Sequence, residues 1–155
     1  FEQQVYTFVP MYQAWHAEAI AVRGEANRAL RLAENAVQLA QKTHQRLGEA
    51  TAKRALGAIY GSMDVSEWPR ARAYLDESIT MLRDMNMKPF LAAALFQLAQ
   101  LSFEHGDIQV AADALAASKL DARRQIASIT SCVRSSARAA ETRRFIRKLR
   151  IRGAK

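Results

Sequence analysis

Apolar residues return along this chain at three- and four-residue intervals, which is the period of an α-helix. Over 10–23, Tyr12, Trp15, Ala19 and Val22 share one stripe; over 25–43, Ala29, Leu32, Ala33, Ala36, Val37 and Ala40 do the same. A polar link at 45–48 leads to a third helix at 49–60, with Ala52, Ala55, Leu56, Ile59 and Tyr60 turned inward. After a loop at 61–67, Trp68-Pro69 opens a fourth helix to about residue 85, burying Ala71, Leu75, Ser78, Ile79 and Leu82 with Tyr74 beside them. A fifth runs over 89–105 through Leu95, Leu98 and Ala99, and a sixth from 107 to about 119 through Ala111, Ala114 and Leu115.

The punctuation agrees with the period. Pro10, Pro69 and Pro89 each stand where a helix begins, a position proline tolerates. The residue before a proline avoids helix, so 1–9 reads as a boundary segment. Gly106 permits a left-handed turn, and Asp107 is placed to accept from the free N–H groups that open the sixth helix. Gly57 lies inside the third helix, where it costs about 1 kcal/mol against alanine, so close contact with the next helix is expected in return. No segment alternates with period two for long enough to be a strand. The expected fold class is all-α.

The helices come in pairs, and the pairs repeat. Gly24 and Gly106 are separated by two steps of 41 residues; Ala29, Ala71 and Ala111 are spaced by 42 and 40; Leu56-Gly57 recurs 42 residues on as Leu98-Ala99. Self-similarity at a fixed period is the signature of a stacked array, since one pair cannot bury its apolar face alone.

In these residues the chain resembles the tetratricopeptide repeat (TPR) family, whose two-helix unit has a Leu-Gly pair in its first helix and a small–large–small series in its second. Leu56-Gly57 with Tyr60, then Ala71, Leu75 and Ser78, match that pattern, as do Leu98-Ala99, Gly106-Asp107, Ala111 and Leu115. In the first pair Gly24, Ala29 and Ala36 match, while His16-Ala17 stands where Leu-Gly is expected. The resemblance covers about 10–119. The spacing of 40–42 exceeds the usual ~34, as in repeats attached to large bacterial signalling and regulatory proteins; HEAT-like and other α-solenoid pairs share these features. The resemblance implies an α-solenoid with pairs at about 10–43, 49–86 and 89–119. A capping helix over 120–131 would follow, through Leu120, Ile126 and Ile129, because such arrays need a polar outer face at their ends. It also implies a concave groove lined by the first helix of each pair. By phase the groove residues are Met11, Ala14, Glu18, Thr51, Arg54, Ala58, Phe96, Gln100 and Phe103, with Phe96 and Phe103 seven apart as anchors for an apolar or helical peptide. The carboxylate-clamp version of the family needs several Lys and Asn residues there, and only Arg54 offers such chemistry. Trp15, Trp68 and Tyr74, and Met81, Met85 and Met87 near the end of the fourth helix, read as packing.

Charge changes this picture at one end only. The chain of 155 residues carries a formal +8, yet 1–118 hold 11 Lys/Arg against 13 Asp/Glu while 119–155 hold 12 against 2. The segment 132–155 is thus a basic tail. Arg143, Arg144, Arg147, Lys148, Arg150 and Arg152 surround Phe145, Ile146, Leu149 and Ile151, a pattern suited to an acidic protein groove, a nucleic-acid backbone or another anionic surface.

Candidate chemistry adds little. His16, His44 and His105 lack paired metal-ligand spacing, no phosphate-binding glycine loop is present, and Cys132 is the single cysteine, so no internal disulfide can form. Asp76-Glu77 and Glu67 read as solvated charges. No run of residues has the length of a membrane span. The first residues lack both a secretory signal and an initiator methionine, as in an excised piece of a longer protein. The expectation is a non-catalytic, cytoplasmic protein–protein interaction module with no cofactor and no metal, belonging to a larger regulatory protein. Its partner is a peptide, a helix or a neighbouring domain, and a homodimer is open to it; the alternative is nucleic-acid or anionic-surface binding through the basic tail.

Overall fold

A computed structural model of the chain describes residues 8–120 and 123, and all but the last of these belong to the compact unit Phe1–Asp121. The expected capping helix beyond Leu120, the basic tail with its six named cations, and Cys132 lie outside the described residues, as do 1–7 of the boundary segment.

The described residues are all-helical. After a short 3-10 turn at Phe8 come α1 (Val9–Val22), α2 (Ala26–Lys42), α3 (Arg46–Gly61), a 3-10 segment (Val65–Glu67), α4 (Trp68–Asp84), α5 (Lys88–Glu104) and α6, helical over 108–120. Each of α1 to α5 packs on its neighbour in sequence, and α3 packs also on α1 and on α5. The odd-numbered helices therefore form one layer and α2 and α4 another.

Four of the five corners are closed in the same way. A residue in the left-handed region follows α1 (Gly24, φ +86), α2 (His44, φ +55), α4 (Asn86, φ +55) and α5 (Gly106, φ +80). At each, two backbone bonds reach back into the helix; at the second, His44 donates to the Gln41 carbonyl (3.2 Å) and Gln45 to that of Ala40 (2.8 Å). Asp107 donates its own backbone N–H to Ser102 at such a corner, while its side chain takes Arg72 of α4 (2.7 Å) as a partner. Such short corners leave α3 no room for a preceding link. The expected link at 45–48 is helical from Arg46, and Gly48 is buried where α3 crosses Pro10 of α1.

The interior is built largely of alanine. Ala29, Ala33, Ala36 and Ala40 of α2 and Ala50, Ala52 and Ala55 of α3 have no exposed surface, so helix axes approach closely and larger residues fill the remaining gaps. In α4 all five expected residues, Ala71, Leu75, Ser78, Ile79 and Leu82, are buried. Gly57 makes the close contact that its position in mid-helix implies: a Cβ there would lie 2.6 Å from Leu75 Cγ and 2.9 Å from the Ala71 carbonyl oxygen. The pairs also share a polar contact. Ser78 Oγ of α4 donates to Ala50 O of α3 (2.7 Å), and forty residues on Ser118 Oγ of α6 donates to Ala92 O of α5 (2.9 Å). Ser78 is completely buried, so Ser78→Ala is expected to cost about 1 kcal/mol in urea denaturation.

Helix α1 departs from its expected orientation. Tyr12, Trp15 and Val22, expected inward, are 59%, 42% and 90% exposed, and Ala19 is exposed beside them. Pro10, Met11, Ala14, Ala17 and Ile20 are buried instead. The helix is apolar on nearly every side, so its period does not choose a face. Size chooses: Ala14 and Ala17 admit α2 and α3 closely, and Trp15 would hold them apart.

Candidate functional site

The reoriented α1 redraws the groove. Met11 and Ala14 are part of the core rather than contacts. Thr51 is also a correction: it is 1% exposed, and its hydroxyl donates to Leu47 O within α3 (2.8 Å). Threonine is favoured there because it sits at the crowded face of α3, where a small side chain able to satisfy its own hydroxyl fits.

Arg54 is half-buried at the middle of the odd-numbered layer. Its guanidinium reaches Glu18 of α1, with Nη2 2.9 Å from one carboxylate oxygen and 3.1 Å from the other, and Gln97 Oε1 of α5 at 2.5 Å. One side chain thus joins three helices. Burial pushes the Glu18 carboxyl above the usual carboxylate range, and the attraction and hydrogen bonding of Arg54 pull it part of the way back. Gln97 was missed by sequence reasoning. Its signal is present, since it is polar within the apolar run LAAALFQLAQL, but nothing in that run says which way it points.

Beside this row lies a cleft of about 480 Å³ lined from all three helices: Glu18 and Val22 of α1, Ala58 of α3, and Gln97, Gln100 and Glu104 of α5 among them. A second cleft, about 400 Å³ and almost wholly apolar, lies between α5 and α6. Phe96 and Phe103, 56% and 68% exposed, line it with Ile108 and Leu115. Gln100 and Glu104, hydrogen-bonded to each other (3.2 Å), line both clefts and so form the ridge between them. The structure thus brings Glu18, Ala58 and Gln100 to one cleft and Phe96, Gln100 and Phe103 to the other. Ile108 and Glu104 were outside the expected set; Glu104 lies one turn after Gln100 on α5, and Ile108 comes in through the short corner at Gly106, which folds α6 onto the same face as Phe103.

Behind the ridge, His105 stacks on Trp68 (4.6 Å between ring centroids, 12° between planes), and its Nε2–H donates to Gly61 O (2.9 Å). This ties the α5–α6 corner to the α3–α4 connection. Trp68 and Tyr74 are packing residues as expected, Tyr74 stacked on Tyr60 at 5.9 Å. Among the described residues no three His, Cys, Asp or Glu side chains lie together as metal ligands, and no helix is long and apolar enough to cross a membrane. Compared with protein-family models, with curated proteins and with solved structures, the chain matches none.

Proposed function

We propose that this chain is a non-catalytic interaction module of tetratricopeptide type. It is an α-solenoid of stacked helix pairs that holds a peptide or helix of a regulatory partner in the cytoplasm. The single observation that carries the reading is the 480 Å³ cleft, which takes its walls from α1, α3 with its C-cap Ser62, and α5. A surface made by one helix from each pair suits an extended or helical ligand, which reads successive pairs with successive side chains. The lining mixes apolar floor residues with Gln97, Gln100 and Glu104, the composition of a site that fixes orientation as well as burying surface. Arg54 supports the site by committing its charge to Glu18 and Gln97, so it shapes the wall rather than clamping a carboxylate. Phe96 and Phe103 stand past the ridge at the edge of the site.

Ala58→Arg puts a long side chain into the cleft from its half-buried floor position and tests the reading. Partners captured from cell extract by the wild-type chain, quantified by mass spectrometry, are expected to fall about tenfold or more with this variant. They should be retained by Val65→Asp, a change on the exposed 3-10 segment. Capture unaltered by Ala58→Arg, in protein of unchanged helical circular dichroism, refutes the groove.

A further inference from the structure

Among the described residues the outer faces of the first and last helices are both apolar, and the internal register says how they fit. Each odd-numbered helix after the first turns one face to the preceding pair. On α5 that face includes Ala94, Gln97 and Leu101: Gln97 takes Arg54 of α3, and Leu101 lies over Gly61, where a Cβ would be 2.9 Å from Leu101 Cδ1. On α3 the same register positions are Ala52, Ala55 and Ile59, all at most 1% exposed. Eighty-two residues before the α5 positions stand Tyr12, Trp15 and Ala19 of α1, and these are exposed. A face covered in α3 and α5 is bare in α1. It carries Tyr12 and Trp15 in edge contact (5.6 Å), with Phe8 51% exposed one turn before them.

The opposite end shows the converse. The α3–α4 positions covered by α5 and its corner are Arg54, Gly61, Trp68 and Arg72, engaged by Gln97, Leu101, His105 and Asp107. Their equivalents one repeat on, offset by 42 in the first helix and 40 in the second, are Phe96, Phe103, Ile108 and Ala112. These line the apolar cleft between α5 and α6.

We propose that copies of this chain associate head to tail, α1 of one copy occupying the α5–α6 cleft of the next as α5 occupies the surface of α3 and α4. The contact is the one already built between pairs, with its chemistry exchanged position for position. Where Leu101 fills the space over Gly61, Phe103 of one copy fills the space over Ala19 of the other, so the large and small partners trade sides. Where Arg54 binds Gln97, Phe96 meets Trp15, and a polar pair inside the chain becomes an aromatic pair between chains. Aromatic surface exposed on both of these faces is what a repeating contact requires. The contact is heterologous, so assembly grows with concentration and does not stop at a twofold dimer. It uses the end faces, and the three-helix cleft stays open in the assembly.

Sedimentation velocity of the whole chain over a concentration series tests this. The weight-average mass is expected to rise with concentration. Trp15→Glu and Phe103→Glu, both at exposed positions, should each shift association by about tenfold or more in concentration. Each keeps one sound end, so an equimolar mixture of the two should form a 1:1 dimer and nothing larger. A disulfide between Ala19→Cys on one copy and Phe103→Cys on another, both with Cys132→Ser, reports the same geometry without a buried charge. A wild-type chain that stays monomeric throughout overturns the proposal, and so does loss of stability in Phe103→Glu without change of mass, which means the chain's own residues cover the cleft. Assembly abolished by Phe103→Glu but untouched by Trp15→Glu overturns it too, as a contact between like ends. Ala58→Arg leaves association unchanged and separates this result from failure of the groove.

Discussion

Leu75→Ala is expected to cost about 3 kcal/mol and Gly57→Ala about 1–2 kcal/mol, while the double variant loses less than their sum. Leu75 is fully buried, and its loss leaves a cavity between α3 and α4. Gly57→Ala fails for the opposite reason. Alanine favours a helix by about 1 kcal/mol over glycine, but here its methyl would sit 2.6 Å from Leu75 Cγ and 2.9 Å from the Ala71 carbonyl oxygen. The leucine cannot swing aside in a filled interior, and the backbone oxygen cannot move without α4. In the double variant the leucine clash is gone, the new methyl takes up part of the vacated space, and only the carbonyl contact remains. Urea denaturation of the four proteins in the cycle measures the coupling. Additivity within about 0.5 kcal/mol would mean that glycine at this position is not there for the leucine.

Arg54→Ala is expected to destabilise the fold by about 2–3 kcal/mol at neutral pH, because it leaves the Glu18 carboxylate unpaired in a half-buried site and Gln97 Oε1 without its donor. The pH dependence identifies the cause. Burial already raises the folded-state Glu18 carboxyl above its value in the unfolded chain, so this group's contribution to stability is full below the unfolded value and is lost as pH rises through the folded one. Without Arg54 the folded value climbs further and the loss deepens at neutral pH. The variant's deficit should therefore shrink as pH falls through the carboxylate range. Adding Glu18→Gln to Arg54→Ala should restore about 1–2 kcal/mol at pH 7 and flatten the profile. Thermal melts from pH 4 to 8 decide this. A deficit that does not vary with pH would assign the loss to packing of the arginine stem.

The interior of α2 to α6 was legible because its cause is local. In α4 the spacing of Ala71, Leu75, Ser78, Ile79 and Leu82 admits one buried face, and charged residues such as Asp76, Glu77 and Arg83 hold the other in water. Gly57 pointed to its own neighbour, since the cost of a glycine in mid-helix has to be offset by something close. Helix α1 was illegible for lack of contrast: with apolar residues on nearly every side, which face is buried depends on what arrives from α2 and α3. That one rotation removed Met11 and Ala14 from the groove and exposed Trp15. For the candidate cleft residues the helix was legible and the partners were not. Arg54, Gln100, Phe96 and Phe103 lie on α3 and α5 as their phase requires, but the pairing of Arg54 with Glu18 and Gln97 spans 36 and 43 residues. No spacing rule reaches that far; such a pair comes from how the helices stack.

The corners at His44 and Asn86 bear on how such a chain can change. Both join one pair to the next, both take the same left-handed bend, and both close with the same two backbone bonds. A duplicated pair spliced in at either point would arrive with its own bend and its own bonds, and no contact inside any existing pair would need to change. The simplest alteration open to such a chain over evolutionary time is growth or shrinkage by one whole unit.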